Sequence, residues 1–254
     1  MTRVLRPGPA SIEGLRWLAR VGPCPLDAWR CAMGWSEVAA RSHARRLERK
    51  GWLARFPMTR GDGSLFVATR VGIAVAGLPV RAAGPPAPTW WAHHCAVAWM
   101  AACLKLRGHG FLGGRELLEG DEWSGAISWR DRSGFKDAKH RPDLIVCTPT
   151  GGRVPIEVEL TKKSAERLRA ILLLHAVGAG HQTGGVIYVC ADEDGCERVK
   201  KHGAHVGLAK GRGLRVELLD TIKAQALAAY DEPRARRPST DSAARRPMLA
   251  VDGG

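Results

Sequence analysis

Apolar residues in the first third of the chain recur at the spacing of three and four residues that is typical of amphipathic helices. This pattern predicts three short helices, at 11–20, 25–34 and 36–50. In the third helix the inward face consists of Ala40, His43, Ala44 and Leu47. Two runs of β-forming residues at 52–58 and 64–69 flank a Gly-containing turn at 60–63, which predicts a hairpin.

The remainder of the chain alternates between helical and strand patterns. Two strands joined at Gly151 and Gly152 predict a second hairpin over 141–160, with a helix beginning near Ser164. The near-continuous apolar run at 184–190 is typical of a strand buried on both faces. The other predicted elements are a long apolar helix at 90–106, a helix at 193–203, a strand at 214–219 and a last helix at 220–230. The fold class is therefore α/β, of the α+β type.

These elements divide the chain into four parts. Three short helices followed by a hairpin match the plan of a winged helix-turn-helix, so we expect a DNA-binding domain of this type at 1–77. A Pro- and Ala-rich linker at 78–89 precedes an α/β domain at 90–230. The polar, Pro-bearing tail at 231–254 is predicted to be disordered.

The charge of the chain indicates a polyanionic partner. Its net charge is +14 with a pI of about 10.0, and 29 of the 39 basic residues are arginines. Residues 1–80 hold 13 basic and 5 acidic side chains, so much of the excess lies in the predicted winged helix. Double-stranded DNA is the expected partner. An RNA partner is disfavoured, since no aromatic stacking signature is present.

The sequence gives no sign of a membrane or a secretory route. Its N-terminus lacks an apolar core segment, and the most apolar stretches, at 95–104 and 170–179, are shorter than a membrane span. We therefore expect a cytoplasmic protein without membrane contact. The seven cysteines include no CxxC pair, and we expect free thiols in a reducing compartment.

The outer face of the third helix is the predicted DNA-contacting surface. Its polar residues are Arg41, Ser42, Arg45, Arg46 and Arg49, and Arg60 lies in the hairpin turn. Guanidinium groups one helical turn apart suit phosphates or guanine edges. Two alternatives remain open: a solvated charged face without a partner, or a winged-helix module that binds protein.

Three acids of the second hairpin form the candidate catalytic site. Glu157 and Glu159 share one face of their strand, and strand pairing can bring Asp143 beside them. Converging carboxylates need a cation, typically Mg²⁺. The alternative is a set of solvated acids on an ordinary hairpin. The helical pattern favours packing roles for His93 and for His175.

Three segments carry a resemblance to a known family: HARRLERKGWL at 43–53, HRPDLIV at 140–146 and IEVELTKKSAERLR at 156–169. Over about residues 10–225 the chain resembles the replication-relaxation family of plasmid and mobile-element proteins from Gram-positive bacteria. The resemblance implies a role in plasmid replication, DNA relaxation or transfer, alongside other proteins of those processes. It also implies that 90–230 is similar to the PD-(D/E)XK nuclease fold, a mixed sheet flanked by helices.

In that nuclease superfamily the second acid is followed, two residues later, by a lysine. Carried over, Asp143 and Glu157 would be the ligands of Mg²⁺, with Mn²⁺ as a substitute, and Glu159 occupies the lysine position. The missing positive charge could come from Lys162 or Lys163. Lys139 and Arg141 are the further candidates for steadying backbone phosphates, and Glu159 for a base or a second metal ligand.

Two functions therefore stay open. One is a DNA-binding protein with metal-dependent endonuclease activity, and the other is a DNA-binding regulator or scaffold whose nuclease fold is degenerate. A relaxase with a covalent tyrosine is disfavoured, since Tyr188 lies in an apolar strand and Tyr230 at a helix end.

Overall fold

The computed structural model describes residues 7–59, 63–148, 151–178, 185–208 and 213–231. Within these ranges the fold is mixed α/β, with nine α-helices, a five-stranded mixed sheet and two small antiparallel sheets. No helix within them is long and apolar enough to cross a bilayer. The predicted tail from 232 onward lies outside the described residues.

The N-terminal part contains the three helices and the hairpin that the apolar pattern predicts, and in addition a short strand and a fourth helix. Its elements are α1 (Pro9–Val21), β1 (Cys24–Pro25), α2 (Leu26–Met33), α3 (Glu37–Arg49), β2 (Leu53–Pro57), β3 (Ser64–Ala68) and α4 (Arg70–Ala76). Strands β2 and β3 are antiparallel, and β1 pairs with the other edge of β3. The hairpin turn at 60–62, with Arg60, lies outside the described residues.

Helix α3 has the predicted two-sided character. Ser36 caps it, its hydroxyl accepting a hydrogen bond from the Ala39 N–H at 3.3 Å. The predicted inward residues Ala40, Ala44 and Leu47 are buried. The fourth, His43, is half-buried and stacks on Trp35 with ring centroids 4.2 Å apart. The five outer residues named above are all exposed.

The C-terminal part is built around the five-stranded sheet. Its elements are a 3₁₀ turn (Pro88–Trp90), α5 (Trp91–Leu106), β4 (Gly110–Leu112), α6 (Gly114–Leu117), β5 (Gly125–Asp131), β6 (Gly134–His140), β7 (Leu144–Cys147), β8 (Arg153–Glu159), α7 (Ala165–Val177), β9 (Val186–Cys190), α8 (Glu193–His205), β10 (Leu214–Leu218) and α9 (Leu219–Asp231). The predicted β7–β8 hairpin and the β9–α8–β10 unit are confirmed.

The strand order is β10-β9-β8-β7-β4, and the sheet changes direction at β8. Strand β8 is antiparallel to β7 but parallel to β9, with α7 as the crossover. On one face Ile156 and Val158 pack in a core with α5 and α9, whereas Tyr188 on the other face packs with α7 and α8. Glu157 alternates with Ile156 and Val158, so its side chain lies on the α7 side.

A buried apolar cluster runs from α1 and α2 through α5 to the sheet and α9. Helix α5 carries apolar residues over most of its surface because it packs both on α2 and on α9. Residues 78–87 have no regular structure, in keeping with the predicted linker, and Arg115 holds them by donating to the carbonyls of Arg81 (2.7 Å) and Ala82 (3.1 Å). The division into two domains stays a prediction.

Candidate functional site

A groove of about 500 Å³ at the end of the β7–β8 hairpin brings the predicted acids Asp143 and Glu157 together. Asp143 immediately precedes β7, and the pairing of Leu144 with Ile156 places it beside the middle of β8. The polar and charged lining also includes His93, His140, Arg141 and Lys163. The predicted convergence of these two carboxylates on one site is therefore seen in the structure.

The carboxylate of Asp143 is held from two sides. Its Oδ1 lies 2.9 Å from Nε2 of His93 on α5, and its Oδ2 accepts a hydrogen bond of 2.7 Å from the backbone N–H of Val158. Burial of His93 opposes protonation, but the hydrogen bond and the charge of Asp143 outweigh it, so the pKa of His93 is raised from its ordinary value.

Glu157 is buried and contacts two imidazoles through a single oxygen. Its Oε1 lies 2.7 Å from Nε2 of His140, the last residue of β6, and 2.9 Å from Nε2 of His175 on α7. Burial alone would raise the pKa of Glu157, but the charges and hydrogen bonds of His140 and His175 lower it to about 2. The two imidazoles therefore favour the ionised form of Glu157.

His140, Glu157 and His175 together form a candidate metal site, because one ligand atom from each lies within 4.8 Å of the others. The set differs from the predicted Asp143–Glu157 pair, sharing Glu157 but supplying imidazole nitrogens in place of the Asp143 carboxylate. Magnesium prefers oxygen ligands, whereas imidazole suits zinc, iron, nickel and copper. The predicted magnesium remains a proposal.

Glu159, which the family resemblance would place at the lysine position of a nuclease motif, is paired with a lysine from further along the chain. The Nζ of Lys163 contacts Glu159 Oε2, and the Lys163 N–H lies 3.2 Å from Oε1. Glu159 is buried, whereas Lys163 lines the groove. Lys162, the other lysine predicted to supply this charge, is exposed and is not part of the groove wall.

Two further basic residues of the predicted site lie beside an exposed acid. Lys139 and Arg141 are 2.5 and 3.6 Å from Oδ1 of Asp121. Arg141 lines the groove, whereas the side chain of Lys139 is exposed on the β5–β6 hairpin. Of the pair, Arg141 is the better placed to meet a phosphate in the groove.

Neither tyrosine presents its hydroxyl to the groove. Tyr188 lies opposite Glu157 in the β8–β9 register, is buried, and has a hydroxyl without a hydrogen-bond partner among the described residues. Burial, followed by the charges of Glu157 and Glu159, raises the pKa of Tyr188 well above its ordinary value. Tyr230 donates to the carbonyl of Trp35 at 2.6 Å.

The arginines on the exposed face of α3 differ in whether another side chain of the described residues pairs with them. Arg41 is paired with Glu37 at 2.7 Å, and Arg46 donates to Ser11 Oγ at 3.0 Å and lies 2.6 Å from His43 Nδ1. Arg45 and Arg49, by contrast, have no ion-pair partner within the described part of the chain. These two guanidinium groups are therefore available to an external anion.

The sequence pattern does not show that histidines contact the carboxylates of this site. The helical pattern correctly places His175 on an inner face, but both His175 and His93 also contact carboxylates of the groove. His140 has one local signal, since it stands three residues before Asp143 in HRPDLIV. No sequence signal connects it with His175, because the contact depends on how the β5–β6 hairpin packs on α7.

No family model and no curated protein matches the chain. Among solved structures, the chain is similar to protein VC1899 from Vibrio cholerae at 9% sequence identity and a TM-score of 0.34. The matched region covers 88% of this chain and 56% of VC1899, so the chain spans little more than half of that protein's length.

Proposed function

We propose that the chain is a DNA-binding protein of a plasmid or mobile element, acting in replication, DNA relaxation or transfer, and that it cuts DNA with the aid of a divalent metal. In this proposal residues 1–77 act as a winged helix whose α3 enters the major groove of duplex DNA. Residues 90–230 act as a PD-(D/E)XK-like nuclease domain, and other replication or transfer proteins are its partners.

One observation carries the nuclease part of the proposal: Asp143, Glu157 and Lys163 line the same groove. Carboxylates that can hold a divalent ion, with a cation beside them, suit the metal-assisted hydrolysis of a phosphodiester. The mixed sheet with helices on both faces agrees with the expected nuclease fold. Arg45 and Arg49 on α3, for which the described residues supply no ion-pair partner, support the DNA-binding part.

The residues of the groove would have different roles in such a reaction. Asp143 and Glu157 would hold Mg²⁺ or Mn²⁺, and a bound ion of this kind stabilises charge on the phosphate and lowers the pKa of a water molecule. His93 and the Val158 N–H fix the orientation of the Asp143 carboxylate. Lys163 and Arg141 would position the phosphate, a task that preorganised cations perform without rearrangement.

The second candidate function is a non-catalytic DNA clamp or scaffold with a degenerate nuclease fold. It is favoured by Glu159, which places a carboxylate where the motif has lysine and engages Lys163 in an ion pair. A lysine neutralised by a buried acid is less able to polarise a phosphate. In this alternative the DNA-binding face of α3 is unchanged and only the chemistry is lost.

Incubation of supercoiled plasmid with the protein in Mg²⁺, Mn²⁺ or EDTA tests the nuclease. Wild type is compared with Asp143→Asn, and Asp194→Asn serves as the matched control because Asp194 is exposed on α8 and outside the groove wall. We expect metal-dependent nicking that Asp143→Asn abolishes and Asp194→Asn retains. Equal DNA binding by all three proteins without nicking would favour the clamp.

A further inference from the structure

Three segments far apart in the sequence bring nitrogen and oxygen donors to one point. His140 ends β6, Glu157 lies in the middle of β8, and His175 lies in the last turn of α7. Both Nε2 atoms lie within 2.9 Å of the same carboxylate oxygen, Glu157 Oε1. The His175 side chain is completely buried and the His140 side chain is 13% exposed.

The type of donor distinguishes this cluster from the carboxylate pair of the proposed nuclease. Two imidazoles and one glutamate form the ligand set that catalytic zinc sites use, and 2-His-1-carboxylate sets also hold iron(II). Magnesium dehydrates reluctantly and takes oxygen ligands in a nearly ideal octahedron. Two neutral nitrogen donors therefore favour a first-row transition ion over magnesium.

We propose that His140, Glu157 and His175 bind Zn²⁺ or a similar first-row divalent transition metal ion. The site shares Glu157 with the carboxylate pair but does not need Asp143, which lies outside the three-residue group. This inference is independent of the DNA-cutting activity, since metal binding can be measured without DNA.

The cluster is positioned to leave one coordination position open. Of the three ligands, His140 and Glu157 line the groove and His175 closes the site from beneath. Three protein ligands with a fourth position facing a groove are characteristic of catalytic rather than structural zinc sites. The fourth ligand would be water or an oxygen of a phosphate that enters the groove.

The competing explanation is a hydrogen-bonded cluster that never holds metal. Two imidazole N–H groups could donate to Glu157 Oε1 and keep the buried carboxylate satisfied. A metal site would bind added metal ions and a hydrogen-bonded cluster would not, so a metal-binding experiment distinguishes the two.

The test uses full-length, tag-free protein loaded with Zn²⁺ or Co²⁺ by equilibrium dialysis against excess Mg²⁺. We expect one equivalent of metal bound per chain, and His140→Ala to weaken binding by about tenfold or more. His93→Ala is the matched control, because His93 contacts the other carboxylate of the same groove. His93→Ala and Asp143→Asn should leave the affinity for Zn²⁺ unchanged.

X-ray absorption of zinc-loaded wild type gives a readout that needs no variant to fold. We expect two histidine nitrogens and carboxylate oxygen around the ion. Failure of wild type to bind either metal in excess Mg²⁺ would overturn the proposal, as would sulfur ligands from the seven cysteines. Loss of binding in Asp143→Asn equal to that in His140→Ala would also overturn it. Plasmid nicking is scored separately, so either proposal can fail alone.

Discussion

The ammonium group of Lys163 contacts the carboxylate of Glu159, four residues earlier in the chain. Lys163 belongs to the segment that follows β8, so its positive charge reaches the groove from beyond the strand. Glu159 is buried, so its carboxylate needs a partner that replaces the contacts with water lost on folding. The ion pair offsets part of the cost of burying this carboxylate.

Replacing Lys163 with Ala should destabilise the fold. It leaves the buried Glu159 with the backbone N–H of residue 163 alone, and we expect a loss of about 2 kcal/mol or more in the free energy of unfolding. Urea unfolding measures it. Lys162→Ala is the matched control, since this neighbour is exposed, and it should change stability little. Equal effects of the two substitutions would contradict the ion pair.

Removal of the hydroxyl should affect the stability of the protein differently at the two tyrosines. Tyr188→Phe removes a buried hydroxyl without a partner among the described residues, so we expect no loss of stability. Tyr230→Phe removes the 2.6 Å hydrogen bond to the Trp35 carbonyl and should cost about 1 kcal/mol. Thermal unfolding of both variants checks this. A clear drop in Tm for Tyr188→Phe would mean that its hydroxyl has a partner.

The N-cap of α3 gives a third stability prediction. Ser36→Ala removes the acceptor for the Ala39 N–H and should lower the free energy of unfolding by about 1 kcal/mol. Ser36→Gly should lower it by only a few tenths, because glycine is a tolerable N-cap. Denaturant titration of both variants measures the difference. If the Gly variant is as unstable as the Ala variant, Ser36 does not stabilise the protein by capping α3.

Much of the fold follows from local pattern. Helices α1 to α3, the β2–β3 hairpin, the β7–β8 hairpin and the β9–α8–β10 unit all have clear apolar periodicity or turn glycines, such as Gly151 with its positive φ of 84°. The convergence of Asp143 and Glu157 follows from the same reasoning, because antiparallel pairing fixes which residues are neighbours.

The β5–β6 hairpin could not be predicted in the same way. Its outer face is polar and its inner face packs on α7 through few apolar residues, including Ile127 and Trp129. Because apolar and polar residues do not alternate clearly, the sequence of these two strands cannot be told apart from that of the surrounding loops. Because His140 ends this hairpin, the missed element also concealed one of the three candidate metal ligands.

Contacts between segments that are distant in the sequence could not be predicted either. His93 and Asp143 are 50 positions apart, and His175 is 18 positions from Glu157. A helical pattern shows that such a histidine faces inward but not which carboxylate it meets. The choice between Lys162 and Lys163 likewise depends on how the chain turns after β8, which spacing alone does not determine.

Both candidate functions require binding to duplex DNA, so the most direct measurement is the DNA affinity of an Arg45→Ala, Arg49→Ala double variant. Binding of wild type and variant to duplex DNA is titrated over a range of salt. Lys201→Ala with Lys223→Ala, on α8 and α9, serves as a control for the loss of two surface charges.

We expect the arginine variant to bind more weakly, and the slope of log K against log salt to be shallower by about 2 for two lost phosphate contacts. The lysine control should bind as wild type does. If the arginine variant binds DNA with the affinity and salt dependence of wild type, or if wild type does not bind duplex DNA, the proposed role of α3 is wrong.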